Sequence, residues 1–285
     1  KNAFAALYTA KQQGKNHYRV YHNGMNLKFY QKFLLKNDLH KAIARNEFAF
    51  RYHPSVNTKS GKAETIEVKL TWNHPKWGEI SPEELQSLTD ESGLVTMIGD
   101  WVIQTVCNQI KIWREKGDMP VSIALNLSPK QLLEKNFIEK LKKVLQETKV
   151  KPAQLQFEFL ENELKEYWEL VKIPMQELKE LGIKLCIDDF GIGYSGLQFL
   201  HLLPVDKIKI HPSFSRMAGT EKDAYTLLLA AYIAIAEQSD LSIIATGVET
   251  TEQFQFFGNN GCNEVQGPIV SSPLSRKEVE ALLFH

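Results

Sequence analysis

Short apolar stretches alternate with longer amphipathic stretches along most of this sequence, and this alternation constrains the fold more than any other feature. The short stretches have the length of buried strands, and the longer ones repeat apolar residues at helical spacing. Strands that alternate with helices are typical of a parallel sheet. Eight such strands in 285 residues predict an α/β fold, a closed (β/α)₈ TIM-like barrel. The predicted strands cover residues 47–53, 64–72, 121–125, 155–159, 183–187, 206–210, 241–245 and 263–265, and the helices include 99–115, 136–146, 163–181, 224–237 and 276–284.

A doubly wound open sheet is the structural alternative, because it shows the same alternation. Such a sheet commonly carries a glycine-rich phosphate loop after its first strand, and no such loop follows residues 47–53 here. Polar residues instead follow strands along most of the chain. We therefore favour the barrel.

The first residues do not fit the barrel pattern. Residues 2–13 are predicted to form a short helix and residues 17–21 a strand, and a break follows at Asn23-Gly24. One helix and one strand cannot fold alone, so this piece is interpreted as the end of another domain. Helical spacing resumes over residues 27–46.

The composition excludes some classes of partner. The chain has 34 basic and 34 acidic residues, so its net charge does not attract a nucleic acid polymer or an anionic membrane. No apolar run reaches the roughly 20 residues that span a bilayer. Three widely spaced cysteines in apolar stretches suit buried, reduced thiols. Since the sequence begins with Lys1, we expect a fragment of a cytoplasmic protein.

Polar side chains gather where the predicted strands end. The carboxyl ends of barrel strands converge, so residues there carry the chemistry of such folds. Carboxylate and amide oxygens that converge from separate strands are the ligands of Mg²⁺, Mn²⁺ or Ca²⁺. The residues concerned are Glu67, Asn126, Glu158, Glu161, Asp188, Asp189, Lys209 and Gln266. A lone strand glutamate is more often solvated or paired locally, but a set at successive strand ends indicates a site.

The segment Asp188 to Ser195 is the most distinctive part of this set. Its two adjacent carboxylates are predicted to face opposite ways, as neighbours in a strand do. Two glycines in the segment permit tight turns beside a ligand. An ordinary strand-to-helix turn is the alternative interpretation.

These motifs resemble the EAL domains of cyclic di-GMP phosphodiesterases, and the resemblance extends from about Leu27 to the end of the chain. The motifs that carry it are Tyr52-His53-Pro54, Glu67-Val68-Lys69, Asn126-Leu127-Ser128, Glu158 to Glu161, Asp188 to Ser195, Pro204 to Ile210, Gly247 to Thr250 and Gln266-Gly267. Residues 5–8 and 10–16 look like the last helix and strand of a GGDEF domain. The expected domains are therefore a GGDEF remnant with its linker over 1–24 and a degenerate EAL domain over 25–285.

The resemblance implies a site for divalent cations. Active members of the family use two such cations to hydrolyse cyclic di-GMP to pGpG. By matching motifs, Mg²⁺ or Mn²⁺ would be bound by Glu67, Asn126, Glu158, Asp188 and Asp189. Lys209 would position the attacking water, and Glu161 is a candidate for a remaining acid–base role.

The sequence departs from the family at two positions that matter for catalysis. His211 stands where an aspartate that binds the second cation is usual, and a hard cation thereby loses a preferred ligand. An imidazole can still bind Mn²⁺ or Zn²⁺, or it can be a polar residue at the rim. Thr246 replaces a glutamate that is proposed as the general base in the family, and a hydroxyl cannot take up that proton near neutral pH.

Residues expected to contact the nucleotide have changed as well. Thr71 stands where an arginine contacts phosphate, and His53 stands where a glutamine is usual. Lys69 lies two residues from Thr71 on the same strand face, so it either compensates for the lost charge or lies outside the barrel. Gln266 and Gly267 are retained as ligand contacts. Leu160, Ile192 and Gly196 also replace hydroxyl residues.

We expect a cyclic di-GMP signalling protein that is a non-hydrolytic receptor or a protein-interaction effector. The alternative is a weak, metal-dependent phosphodiesterase that produces pGpG. An unrelated barrel enzyme would need another reactive group, and neither Cys186 nor Ser195 has a suitable base. A protein partner, a cytoplasmic location and a homodimer through the face near residues 188–195 are further expectations. The phenylalanines at 254, 256 and 257 could belong to the core or to an interface, and we favour the core.

Overall fold

A computed structural model describes residues 10, 18, 20, 23–193, 200–217 and 224–284. Most of the predicted GGDEF remnant lies outside these residues, as do Tyr194, Ser195 and Gly196. The chain divides into two compact units, one of residues 1–49 and 71–98 and the other of residues 50–70 and 99–285. The second unit contains most of the sheet and all the predicted site residues except Thr71.

Eight strands form a closed barrel, as the alternation predicts. The strands are paired in the order β1-β9-β8-β7-β6-β5-β4-β2, and β1 also pairs with β2, which closes the sheet. They are β1 (Phe48–Asn57), β2 (Ala63–His74), β4 (Ser122–Asn126), β5 (Leu155–Leu160), β6 (Lys184–Phe190), β7 (Lys207–Ile210), β8 (Ser242–Ala245) and β9 (Glu264–Gln266). The short β3 (Gly78–Ile80) pairs with the end of β2 in an antiparallel hairpin.

The prediction of a wholly parallel sheet is wrong for β1, which runs antiparallel to β9 with Ser55 opposite Gln266. The cause lies in the connection to β2, because residues 58–62 form only a short loop. A parallel connection needs a crossover of about a dozen residues or more. The remaining barrel pairs, from β2–β4 to β8–β9, are parallel.

Ten α-helices are described along the chain, and helices alternate with the parallel strands from β4 onward. They are α1 (Asn23–Ala42), α2 (Pro82–Ser92), α3 (Val95–Lys116), α4 (Pro129–Leu132), α5 (Phe137–Thr148), α6 (Glu161–Glu180), α7 (Ser213–Met217), α8 (Ala224–Gln238), α9 (Thr251–Asn259) and α10 (Arg276–Phe284). Helix α2 was not predicted, although Ser81 caps it and Pro82 occupies its first turn. No helix among the described residues is long and apolar enough to cross a membrane.

The first unit is stabilised by its own polar contacts. The indole of Trp72, a fully buried residue, donates to Glu47 at 2.9 Å. Glu91 on α2 pairs with Lys32 at 2.6 Å and with Lys36 at 2.5 Å, both on α1. These pairs join α1 to α2.

In the second unit, strand side chains alternate between an apolar layer and a polar interior. On β5, Phe157 and Phe159 belong to the hydrophobic core, and Phe157 packs against Phe137 of α5. Their neighbours Gln156 and Glu158 are buried as well, although they are polar. Because successive residues of a strand face opposite sides, the apolar core lies between sheet and helices and the polar set lies inside the barrel.

Two smaller predictions about the core are confirmed. The three cysteines are buried and free. Phe257 is fully buried, and Phe254 and Phe256 pack against the core. The phenylalanine-rich stretch is therefore part of the core of the second unit.

Gly267, a predicted ligand contact, lies where the backbone after β9 passes very close to Val248. It adopts a φ of +152°, and a Cβ at this position would lie 2.4 Å from the N and O atoms of Val248. We expect Gly267→Ala to lower the free energy of unfolding by about 2–3 kcal/mol, because the loop after β9 must move away from Val248. Urea denaturation measures this change. Gly61→Ala, at a φ of +68° with no atom within 4 Å of the added Cβ, is the control and should cost less.

Candidate functional site

Three carboxylates from three strands meet inside the carboxyl end of the barrel. Glu67 of β2, Glu158 of β5 and Asp188 of β6 each offer an oxygen within 4.8 Å of the others. Glu67 and Glu158 are almost completely buried, and Asp188 is slightly exposed at 15% of its side chain. The predicted cation ligands Glu67, Glu158 and Asp188 are thus brought together.

Lys209 of β7 lies among these carboxylates. Its Nζ is 3.0 Å from Glu67 Oε2, 2.8 Å from Glu158 Oε2 and 3.5 Å from Asp188 Oδ2. Burial opposes a charge on Lys209, but the three carboxylates outweigh it and raise its pKa well above the usual range. Lys209 is therefore the positive centre of the cluster.

The two glutamates of the cluster differ in the direction of their pKa shifts. Burial raises the pKa of both glutamates, but at Glu67 the nearby Lys209 and Lys69 prevail and lower it to about 2. At Glu158 burial and the repulsion from Glu67 and Asp188 prevail over Lys209, so the pKa is raised. Burial and the repulsion from Glu67 also raise the pKa of Asp188, so a further positive charge would stabilise both Glu158 and Asp188.

These residues fit one divalent cation. Three carboxylate oxygens that converge from rigid strands are hard ligands of the kind that Mg²⁺ and Mn²⁺ prefer. Lys209 and Lys69 supply two positive charges within 3.5 Å of carboxylates of this cluster. Asn126 is opposite Glu158 in the β4–β5 register and exposed, so it lies at the same end of the barrel.

Asp189 departs from the strand geometry assumed for it. Its φ is +55°, and the pairing of β6 with β7 shifts register between Ile187 and Phe190. Its backbone N–H donates to Asp188 Oδ1 at 2.8 Å. The strand rule that adjacent side chains face opposite ways does not apply here, because Asp189 leaves the extended conformation.

Glu161, at the first turn of α6, holds the loop after β6. Its Oε2 accepts hydrogen bonds from the N–H of Gly191 at 2.8 Å and of Gly193 at 3.4 Å. A Cβ at Gly193 would lie 2.4 Å from Glu161 Oε1, so a larger residue there would require the Glu161 carboxylate to move. The predicted acid–base role of Glu161 is not supported by these contacts, which are those of a positioning residue.

We expect Glu161→Ala to loosen this loop, because two backbone donors lose a buried acceptor. Such a loss costs about 1–3 kcal/mol, so amide exchange at Gly191 and Gly193 should be about tenfold faster or more. Hydrogen–deuterium exchange with mass spectrometry measures it. Glu166→Ala on the exposed side of α6 is the control, and equal exchange in both variants would contradict this role.

The two departures from the family differ in their surroundings. Thr246, at the end of β8, is buried, and its hydroxyl donates to the carbonyl of Ile210 at 2.6 Å. The ring of His211 is partly buried, and its Nδ1 lies 2.9 Å from Ser213 Oγ and accepts from the Ser213 N–H at 3.2 Å. Neither position provides a carboxylate.

The predicted ligand contacts fall into two groups. Gln266 and Lys69 lie beside the cluster, with Gln266 Nε2 at 3.1 Å and Lys69 Nζ at 3.5 Å from Glu67. The Gln266 amide also donates to the carbonyl of His53.

Burial first, and then Lys69 and Lys209, lower the pKa of His53 to about 4, so its ring is neutral near pH 7. Thr71 belongs to the first unit, where its hydroxyl donates to Ala49.

The alternative interpretation of Lys69 as an exterior residue is wrong. Its contact with buried Glu67 places the ammonium on the inner face of β2. With 32% of its side chain exposed, Lys69 remains accessible to solvent. It is therefore available to a ligand at the barrel mouth.

A second buried polar layer, which was not predicted, lies below the cluster. Lys207 forms an ion pair with Glu264 and donates to Thr65, and Ser55 donates to Glu264 at 2.5 Å. Thr65, Lys207 and Glu264 each precede a residue of the upper layer by two positions. The period of two along strands would have revealed this layer.

Comparisons with known proteins agree with these observations. The family model described as "EAL domain" matches residues 36–273. The chain is 32% identical over 281 residues to the bifunctional diguanylate cyclase/cyclic di-GMP phosphodiesterase MucR of Pseudomonas aeruginosa, covering 98% of this chain and 41% of that protein. It is 34% identical over 274 residues to the cyclic di-GMP phosphodiesterase PdeR of Escherichia coli, covering 96% of this chain and 41% of that protein.

A solved structure gives the same result. The structure described as the PaMucR phosphodiesterase in complex with c-di-GMP superposes with a TM-score of 0.80 and 30% identity, covering 86% of this chain and 99% of that one. This chain spans about two fifths of the length of the curated relatives named above. The matched motifs, the barrel and these comparisons together show that this chain belongs to the EAL domain family of cyclic di-GMP phosphodiesterases.

Proposed function

We propose that this EAL domain binds cyclic di-GMP at the carboxyl end of its barrel and hydrolyses it far more slowly than active members of the family. The observation that carries the proposal is the environment of Thr246. A threonine has no carboxylate that could accept a proton from water. The Thr246 hydroxyl is moreover buried and donates to the Ile210 carbonyl. A missing general base alone costs about 10²–10⁴ in rate.

The retained residues support binding. Glu67, Glu158 and Asp188 would hold one divalent cation, which would supply positive charge to a phosphodiester oxygen. Lys209 keeps the carboxylates together, and Lys69, which is partly exposed, adds a second positive charge beside Glu67. The relative PaMucR, at 30% identity, is described as a complex with c-di-GMP.

A weakly active, metal-dependent phosphodiesterase that forms pGpG is the second candidate. Two observations favour it. The carboxylate cluster fits a cation, and relatives at 32–34% identity are named as cyclic di-GMP phosphodiesterases. On this account, water bound near Asp188 would react without the help of a base at residue 246.

Calorimetric titration with cyclic di-GMP in Mn²⁺, followed by chromatography of the same sample for pGpG, tests the proposal. We expect binding and less than about 1% of the turnover of PdeR assayed in parallel. Repetition in EDTA shows how much of the binding depends on the cation.

The controls separate the two candidates. If pGpG forms, its loss in Asp188→Asn would establish that this site produces it, since the substitution removes a carboxylate of the cluster. Turnover close to that of PdeR would overturn the proposal of slow hydrolysis. No binding in either Mn²⁺ or EDTA would overturn the proposal of a receptor.

Further properties of the whole protein are proposals of the same kind. The relatives extend well beyond this chain, and the name of MucR includes a diguanylate cyclase, which supports the interpretation of residues 1–24 as the end of a GGDEF domain. We also propose a cytoplasmic signalling role with a protein partner. Light scattering of the chain tests the expected homodimer.

A further inference from the structure

His211 directly follows β7 and lies two residues beyond Lys209, so the alternation of the strand directs it to the same, inner face. Its backbone N–H donates to the carbonyl of Phe190, which ties it to β6. Its ring turns back on its own chain, so that Nδ1 accepts the N–H of Ser213 at 3.2 Å. This is a local side chain-to-backbone turn of the type that aspartate and asparagine also form.

The turn determines which ring nitrogen carries hydrogen. A nitrogen that accepts from a backbone N–H must present its lone pair, so Nδ1 bears no hydrogen while this bond exists. Nε2 then carries the hydrogen and can only donate. A cation needs a lone pair, and so this histidine cannot replace a metal-binding carboxylate in this conformation.

The surrounding residues keep the turn in place. Pro212 packs against Gly247 so closely that a Cβ there would lie 2.7 Å from the Pro212 Cβ. The hydroxyl of Thr246 donates to Ile210, immediately before His211. The hydroxyl of Ser215 donates back to the carbonyl of Thr246. The backbone on both sides of His211 is thereby tied to the end of β8.

The charges near His211 leave a phosphate of the ligand with few other hydrogen-bond donors at this end of the barrel. Lys209 is directed at Glu67 and Glu158, so little of its charge is available to a ligand. The carboxylate cluster would repel a phosphate that approached without a cation. Nε2 of His211 has no partner within the described part of the chain, and the side chain is partly exposed.

We infer that His211 binds a phosphate oxygen of the ligand through its Nε2–H, in a position where active members of the family bind a cation. The inference rests on the proposed function and deepens it, because it assigns a residue that recognises the anion. It implies that part of the affinity for cyclic di-GMP persists when no cation is bound.

An isosteric pair of variants tests the inference. His211→Asn keeps the turn, since its Oδ1 can accept the Ser213 N–H, and it keeps a donor in Nδ2, which lies closer to the backbone than Nε2 does. His211→Asp keeps the turn but offers no donor. In EDTA we expect His211→Asp to bind cyclic di-GMP at least about tenfold more weakly than wild type, and His211→Asn to bind more tightly than His211→Asp.

A second measurement does not depend on the ligand. Long-range ¹H–¹⁵N correlation spectra of ¹⁵N-histidine-labelled chain, with His211→Asn for assignment, should show hydrogen on Nε2 of His211. Hydrogen on Nδ1 alone would overturn the inference. Thermal unfolding confirms that the compared variants are folded.

The outcomes separate this inference from the proposed function. If wild type binds in EDTA but the Asn and Asp variants bind equally, His211 does not donate to the ligand and the inference alone fails. If wild type binds only with Mn²⁺, the inference also fails while the receptor stands. No binding under either condition would overturn both.

Discussion

Lys209→Met is expected to lower the free energy of unfolding by about 3–5 kcal/mol, the largest effect on stability predicted for this site. The lysine is 3% exposed and lies within 3.5 Å of three carboxylates, which would remain buried without their main counter-charge. Those carboxylates would then have to take up protons or a cation. Urea denaturation in EDTA measures the loss, and addition of Mn²⁺ should restore part of it.

The matched control is Lys140→Met, which removes an ion pair with Asp100 whose lysine is 53% exposed. Exposed pairs contribute about 0–1 kcal/mol, so this variant should unfold close to wild type. Equal midpoints for Lys209→Met and Lys140→Met would contradict the central position of Lys209. If Lys209→Met does not fold in EDTA but folds in Mn²⁺, the expectation is also met.

The double variant Thr246→Glu, His211→Asp should gain phosphodiesterase activity of about 10²-fold or more over the wild-type chain. The first change supplies a carboxylate that can accept a proton at the end of β8, and the second supplies a cation ligand at the end of β7. Release of pGpG at saturating cyclic di-GMP and Mn²⁺ measures the gain. The introduced carboxylate must point away from the place of the threonine hydroxyl, because that hydroxyl is bonded to the carbonyl of Ile210.

The control that isolates the proton acceptor is Thr246→Gln, His211→Asp, which has the same size without the carboxylate. It should stay at least about tenfold below the glutamate variant. Equal rates in the two double variants would show that a base at residue 246 does not limit turnover. The single variants show whether the two changes act together, as residues of one catalytic unit do.

Local sequence signals located most of the cluster but could not describe its interactions. The acids at strand ends predicted that Glu67, Glu158 and Asp188 converge, and the structure brings them within 4.8 Å. Glu161 occurs in the same motif as Glu158, yet it binds the backbone of Gly191. The motif shows that Glu161 follows Glu158 by three residues, but it does not show where the side chain of Glu161 points. That direction depends on the helix that begins at Glu161.

The alternation of strands and helices predicted the barrel, and the motifs predicted the family. Each prediction rests on many positions along the chain, so a substitution at one position does not change it. The antiparallel β1 was missed, although the short loop of residues 58–62 already requires it. Only the tertiary structure decided that Lys69 faces inward, that Glu161 holds a loop, and that the His211 ring accepts from Ser213. Each of these depends on the direction of a side chain or the approach of separate backbones, which no local pattern of residue types specifies.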